Sequence, residues 1–509
     1  MKNPEQKKGK VYLVGAGPGD SELITLKGLR VLQTADCVIY DKLANPILLR
    51  HIRKDAEIIH TPKRTKNSYT QQQINELIIE KVLKGLSVVR LKGGDPGVFG
   101  RTSDELACLL EYNIPFEIVP GITAGTAAAE YAGIIPTDRR LSSQLMFVTG
   151  RSADDNPAGE IDYKLLAEFS GTIIFYMPVG EFENITEKLL NNKIDSDTPA
   201  AVIQNATKPK QKAVYDNVKN IAAKAREANI NPPAVLITGK TATENPQLNW
   251  FANKPLFGKN IIITRDAEGN RKFAEKITAR GGNPIPIDTF EFEDLTDKSE
   301  FVQTLADLKT FDWIVFTSAN GVKIVFERLK NLGKDARVFG KCKIAAIGTE
   351  TASGLSKYGI NPDFVPHNFT SEQLGKEMIG SFNLAGRKIL LLRSRLADDT
   401  LEKILRSPGA EVKETPAYDL KALKLNKKLI LELLNTNKPD WVTFTSPFSA
   451  GTLFKQIPTE KVKGSKAKIA SIGPVTSEKL KELGLEVNLQ AKTHTIDGLL
   501  DIIEGANSD

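Results

Sequence analysis

Residues 312–321 read DWIVFTSANG, and residues 440–449 read DWVTFTSPFS. Each is a short run of β-branched and aromatic residues that ends in Thr-Ser and then opens a helix-like stretch. The offset is 128 residues, and the same offset joins GKNIIITR (258–265) to GRKILLLR (386–393). An offset of 125 joins KIAAIGTETASGLSKYG (343–359) to KIASIGPVTSEKLKELG (468–484). Three matched blocks in one order indicate an internal duplication. Strand, small hydroxyl or glycine residues, then helix is the pattern of a parallel sheet with crossover helices. The chain from residue 258 onward is therefore expected to form a pair of similar doubly wound α/β domains with a cleft between them.

The loops after these strands are FTSANG, IGTETA, FTSPFS and IGPVTS. A helix start presents free N–H groups and partial positive charge, and a Ser or Thr adds a donor. Taken singly, Ser318, Thr351, Ser446 or Thr476 reads more simply as a helix cap. Four in matched positions at strand ends predict a site for a polyanion, where open α/β sheets bind ligands.

The whole chain has 509 residues, enough for roughly three or four domains of about 150 residues. Hydrophobic residues make up 41%, and the longest apolar runs fall well short of the ~18 residues of a membrane helix. The lysine-rich opening MKNPEQKKGK lacks the apolar stretch of a secretory signal. Cys37, Cys108 and Cys342 lie far apart and form no CxxC, which fits a reduced cytoplasm. The four histidines have no metal-ligand spacing, so no metal is expected. The net charge of +7 weakly favours acidic partners. No basic run with interleaved aromatics points to nucleic acid. The stretch TATENPQLNWFANKPLFGKN is polar and irregular, and 246–257 within it reads as a linker.

The first half carries glycine loops. VGAGPGD (14–20) follows the apolar run VYLV, but its spacing is GxGxG, and a lone glycine loop is weak support for any nucleotide. The second motif, VVRLKGGDPGVFGR (88–101), discriminates further. Gly93 and Gly94 permit close backbone approach or positive φ. The Asp95 carboxylate would oppose a phosphate but suit a cation or amino group; a tight turn capped by Asp95 is the plainer alternative. In VPGITAGTAAAEYAG (119–133) a strand end leads into a helix of small residues, against whose start a ligand can lie.

Residues from about 10 to 245 resemble the tetrapyrrole methyltransferase family, most closely uroporphyrinogen-III C-methyltransferases. VGAGPGD, YDKL, LKGGDPGVFGR, VPGITAG, FYM and AVIQNAT occur in family order. The resemblance implies a two-subdomain methylase fold over 9–245 that is usually dimeric. It implies S-adenosylmethionine as cofactor, a group with an amino acid and a sulfonium but no phosphate. Pro18, Gly93, Gly94, Asp95, Val98, Thr123, Ala124, Met177, Ala206 and Ala234 would line its site. Asp41 in YDKL and Lys63 in TPKRT match positions proposed as general base and acid. Asp41 reads equally as a helix-capping carboxylate, and Lys63 with Arg64 as holders of substrate carboxylates. Arg139 is retained on the substrate side, although GIIPTDRR (133–140) departs from the usual GIPLTHR, and Ala206 stands where glycine is common.

Residues 257–509 resemble uroporphyrinogen-III synthases in the FTS strand ends, IGTETA, IGPVTS and the Tyr of TPAYDL. The resemblance implies closure of linear hydroxymethylbilane with loss of water and inversion of its last ring. It implies one lobe from about 258–288 plus 420–509 and another from 293–416. Ser318, Thr351, Ser446 and Thr476 match positions that bind substrate carboxylates, and Tyr418 the tyrosine proposed to assist loss of the hydroxyl. A phenol is protonated at neutral pH and can donate; an interdomain packing aromatic is the alternative. Together the resemblances imply a cytoplasmic bifunctional enzyme that makes uroporphyrinogen III and methylates it at C2 and C7 to precorrin-2, on the route to sirohaem and cobalamin. The alternative is a methylase for another corrin intermediate, or a non-tetrapyrrole substrate, with a C-terminal half that only binds tetrapyrrole.

Overall fold

The computed structural model describes residues 9–62, 69–150, 160–436, 439–465 and 467–507. The chain divides into two compact units. One comprises the residues up to Ile261 with Glu275–Pro284 and those from Ile503 on; the other comprises Ile262–Ala274 and Ile285–Ile502.

The first unit holds two five-stranded sheets. β1 (Val11–Gly15), β2 (Cys37–Tyr40), β3 (Glu57–His60), β4 (Val88–Lys92) and β5 (Phe116–Val119) form an all-parallel sheet in the order β3-β2-β4-β1-β5. β1 and β4 are buried almost throughout, as a central parallel strand covered on both faces requires. The strand order reverses between them, so the loops leaving them open at the place where such sheets take ligands. The second sheet is mixed: β6 (Leu145–Thr149), β7 (Thr172–Tyr176), β8 (Pro199–Gln204), β9 (Lys212–Asn217) and β10 (Ala234–Thr238) run β6-β7-β10-β8-β9, parallel only between β6 and β7.

Residues 246–257 hold a 3-10 turn at Pro246–Leu248, yet Phe251 and Leu256 are buried. The rings of Trp250 and Phe251 each lie 4.8 Å from that of Tyr131, and Trp250 Nε1 donates to the Glu130 carbonyl at 3.1 Å. The stretch is an aromatic strap along the helix Ala124–Tyr131.

Beyond it the duplication becomes two sheets. β11 (Asn260–Arg265) and β12 (Asn283–Asp288) start one; the chain then builds the whole of the other from β13 (Phe290–Asp294), β14 (Trp313–Phe316), β15 (Lys343–Ala346), β16 (Lys388–Ser394) and β17 (Glu411–Ala422). It returns with β18 (Trp441–Phe444), β19 (Lys468–Ser471) and β20 (Leu489–Gln490) to complete the first. The orders are β12-β11-β18-β19-β20 and β13-β17-β16-β14-β15. The two crossing segments, β13 and the end of β17, pair antiparallel, with Asp294 opposite Tyr418. The second sheet is otherwise parallel.

Candidate active sites

In the first unit three glycine loops meet backbone to backbone. Gly17 and Gly94 exchange N–H···O bonds of 3.2 and 2.7 Å, and both have positive φ, 76° and 70°. A Cβ on Gly15 would stand 2.6 Å from Gly121 Cα, and one on Gly121 would stand 2.4 Å from the Gly94 carbonyl oxygen. Neither position admits a side chain while the loops stay in place. Asp95 binds this junction together: Oδ1 accepts the Gly97 N–H at 2.7 Å and Oδ2 the Gly121 N–H at 2.9 Å. Both carboxylate oxygens thus serve the protein backbone, and Asp95 acts first as an organiser of two loops.

Gly93 backs onto the YDKL turn, since a Cβ there would lie 2.5 Å from Leu43 Cβ. That contact brings Asp41 beside the second glycine loop. Asp41 Oδ1 accepts the Leu43 N–H at 3.0 Å, closing the turn, and Oδ2 lies 3.4 Å from Arg90 Nη2.

Thr123 precedes the helix Ala124–Tyr131, whose first turn has no cap from its own side chains. Tyr176, at the end of β7, supplies one: its hydroxyl accepts the Gly125 N–H at 2.7 Å and bonds Thr123 Oγ1 at 2.7 Å. Burial pushes the Tyr176 pKa up, so the phenol stays protonated. Val98, Ala124 and Ala206 pack on the cluster around this tyrosine. Met177 follows it at φ 54° and is half exposed. Ala234 opens β10 opposite Gln204, whose buried Oε1 has no hydrogen-bond partner. Pro18 sits within the first loop, which is tied to the AVIQNAT segment by the bond from Asp20 N–H to Thr207 Oγ1, 2.8 Å. Arg139 is exposed in the turn closed by the Asp138–Ser142 bridge, while Arg140 pairs with Asp138. Lys63 and Arg64 lie outside the described residues.

In the second unit Ser318 and Ser446 take equivalent places as N-caps. Ser318 Oγ accepts the Gly321 N–H at 2.9 Å, and Ser446 Oγ accepts the Ser449 N–H at 3.2 Å. Thr351 and Thr476 are buried in the first turns of the helices Thr349–Ser356 and Pro474–Glu482. Neither helix has a side-chain cap, which leaves their leading N–H groups for another acceptor. An aromatic ring roofs the glycine before each: Phe369 over Gly348 and His494 over Gly473. These two also keep the 125-residue offset.

Tyr418 is only 7% exposed, and its hydroxyl lies 2.9 Å from Ser318 Oγ. Burial raises its pKa, outweighing the opposing bond to Ser318, and keeps it a proton donor. An edge-to-face row of rings, Tyr418–Phe292–Phe290–Phe448, links it to the helix Pro447–Phe454 that Ser446 caps. The Glu268 and Lys323 side chains, each from the helix after a matched strand, form an ion pair of 2.9 Å. Lys323 and Lys272 together pull the Glu268 pKa down to about 2.

Residue identity alone did not reveal Tyr176, Arg90, Phe369 or His494. The offset could have found the last two; the others act through contacts between distant segments. Among the described residues no group of three His, Cys, Asp or Glu could hold a metal ion, and no helix is long and apolar enough to cross a membrane.

Two family models match the chain: Tetrapyrrole (Corrin/Porphyrin) Methylases over residues 10–222, and Uroporphyrinogen-III synthase HemD over 271–501. The Porphyrin biosynthesis protein HemD of Ruminiclostridium josui is 34% identical over 500 residues, 97% of either chain. A Uroporphyrinogen-III C-methyltransferase of Bacillus subtilis (strain 168) is 35% identical over 70% of this chain and 74% of its own. Another, from Methanocaldococcus jannaschii, is 43% identical over 46% of this chain and 96% of its own. The chain belongs to the family of porphyrin-biosynthesis fusion proteins in which a tetrapyrrole methylase domain precedes a uroporphyrinogen-III synthase HemD domain.

Proposed function

We propose that the chain catalyses two consecutive steps. The C-terminal half closes hydroxymethylbilane to uroporphyrinogen III, and the N-terminal half methylates that product twice, giving precorrin-2. The observation that carries this reading is the presence of both domains in one chain, 97% of which aligns with a porphyrin biosynthesis protein.

The junction of Gly15, Gly94 and Gly121 presents backbone rather than side chains, which suits a ligand held by backbone groups. It therefore fits S-adenosylmethionine, which supplies the methyl group when bound. Pro18, Gly93, Gly94, Val98, Thr123, Ala124, Met177, Ala206 and Ala234 would hold it, with Asp95 fixing the loops. Methylation of an electron-rich pyrrole carbon asks the protein chiefly to orient the partners. Asp41, beside Gly93, would take the proton that the ring releases. Lys63, Arg64 and Arg139 would hold substrate carboxylates.

In the other half the uncapped helix starts near Thr351 and Thr476, with Ser318 and Ser446, would hold carboxylates of the bilane. The Tyr418 hydroxyl, steadied by Ser318, would donate a proton to the departing hydroxyl, which leaves as water. The excess of positive charge would speed the encounter with polycarboxylate substrates.

Incubation of the full chain with hydroxymethylbilane and S-adenosylmethionine, followed by product identification, tests the reading. Dimethylated type III product is expected. Type I product refutes the synthase half, and type III product that stays unmethylated, whether formed there or supplied, refutes the methyl-transfer half.

A further inference from the structure

A chain of buried charges lies beneath the second glycine loop, and the reactions above use only Asp41 at its end. Arg90 and Glu105 are each 1% exposed, and Lys92 is buried. Arg90 Nε donates to Glu105 Oε1 at 3.2 Å, and the Lys92 ammonium holds the other oxygen, Oε2. Arg90 Nη1 donates to the Ile39 carbonyl on β2 at 3.3 Å, and Nη2 reaches Asp41 Oδ2 at 3.4 Å. Two cations and two anions leave the group neutral. Desolvating such ions costs several kcal/mol each, and a packed apolar set is often as stable. Stability alone is therefore a weak reason for this arrangement.

Its geometry supplies another. Lys92 is the residue before Gly93, and Glu105 lies in the first turn of the helix Thr102–Glu111, which begins where the GGDPGVFGR loop ends. The Lys92–Glu105 pair closes the neck of that loop. Arg90 joins the neck to Asp41, the last member of the chain and the most exposed. The loop and the Asp41 carboxylate thus share one rigid support.

We propose that Arg90 is a positioning residue for methyl transfer: anchored by Glu105, its guanidinium holds the Asp41 carboxylate in register with the glycine loop. The proposal rests on the reading that Asp41 takes the proton from the methylated ring. Arg90→Leu leaves Glu105 paired with Lys92, so no buried anion loses its last cation.

The test is a double-mutant cycle in the full chain, measuring kcat and KM for methylation of supplied uroporphyrinogen III. Melting temperature and calorimetric binding of S-adenosylhomocysteine are followed alongside. Arg90→Leu is expected to lower kcat about 10- to 100-fold, the scale of a ~1 Å misplacement. KM and affinity for S-adenosylhomocysteine should stay within about threefold. Arg90→Lys should restore part of the loss. The double variant Asp41→Asn/Arg90→Leu should be no slower than Asp41→Asn alone, because residues that act through one another do not add. Should Arg90→Leu fail to fold, Arg90→Lys takes its place in the cycle. Additive losses, or an unchanged kcat in the Arg90 variant, overturn the proposal and leave the Asp41 reading intact. Normal turnover in Asp41→Asn overturns that reading and the proposal with it.

Discussion

Gly121→Ala tests the three-loop junction directly. The added methyl would stand 2.4 Å from the Gly94 carbonyl oxygen and 2.8 Å from Gly15 Cα. Both are backbone atoms, so no side chain can swing aside. Ordinary contact between carbons is about 3.5–4.0 Å, so the loops must part by roughly 1 Å. Overpacking of this kind costs about 1–3 kcal/mol. The shift also stretches the 2.9 Å bond from Gly121 N–H to Asp95, a charged hydrogen bond worth up to about 1.5–3 kcal/mol and less here because Asp95 is partly exposed. A total of about 2–4 kcal/mol is expected. For a unit of this size that lowers the melting temperature by about 5–10 °C. Calorimetric titration should show affinity for S-adenosylhomocysteine falling at least ~10-fold, with bilane closure unaffected. Gly380→Ala is the control. Gly380 is exposed near the end of the helix Ser371–Ser381 with open space at its Cβ, so alanine there should stabilise by up to about 1 kcal/mol. A Gly121→Ala protein that melts within about 1 °C of wild type and binds with unchanged affinity would refute the convergence of the loops.

Tyr418→Phe should reduce turnover of bilane closure by about 10²–10⁴, the range of a general acid, with methylation of supplied uroporphyrinogen III untouched; near-normal formation of type III product would leave Tyr418 a packing residue. A methyltransferase fragment ending at residue 245 loses Trp250 and the buried Phe251 from the face of Tyr131. It should be about 2–4 kcal/mol less stable than one ending at 257, as judged by denaturant midpoints. Glu268 has its pKa lowered to about 2 in the folded protein, below its ordinary value of 4.5. Its pair with Lys323 therefore contributes stability that is present above pH 4.5 and lost as pH falls through about 2. Because both side chains are largely exposed, Glu268→Gln should cost no more than about 0.5 kcal/mol at pH 7. That difference in melting should shrink between pH 4.5 and 2; a gap that widens there contradicts the pairing.

What was legible in the sequence is what a local stretch of chain dictates. The duplicated FTS blocks carry strand, turn and cap in ten residues each, so the parallel architecture could be read from them. Gly17 and Gly94 could be suspected because positive φ selects glycine at the residue itself. The alternative use of Asp95, as a turn former, was also visible: its carboxylate accepts the N–H groups of Gly97 and Gly121. Tyr176 was out of reach: a tyrosine from β7 that caps a helix starting at Ala124 is a contact across some fifty positions with no sequence pattern. Arg90 and Lys92 sat inside an apolar-looking strand, and nothing local says that Glu105 would meet them. The strap at 246–257 was read from polarity, but its aromatic residues decide where it packs.

The order in which the paired sheets are completed also sets a timetable for synthesis. β13 to β17 are contiguous from Phe290 to Ala422, so their sheet can close as soon as that length has left the ribosome. β11 and β12 emerge earlier, yet their neighbour β18 begins at Trp441, about 150 residues after β12 ends. At about 5–20 residues per second that is a wait of roughly 8–30 s. During it the open edge of β11 and the apolar face around Ile262, Ile285 and Ile287 stay uncovered. A nascent chain with such an edge is open to capture by chaperones or by its neighbours on the same message. Slow translation before residue 441 would prolong that exposure, whereas the inserted lobe would already be safe.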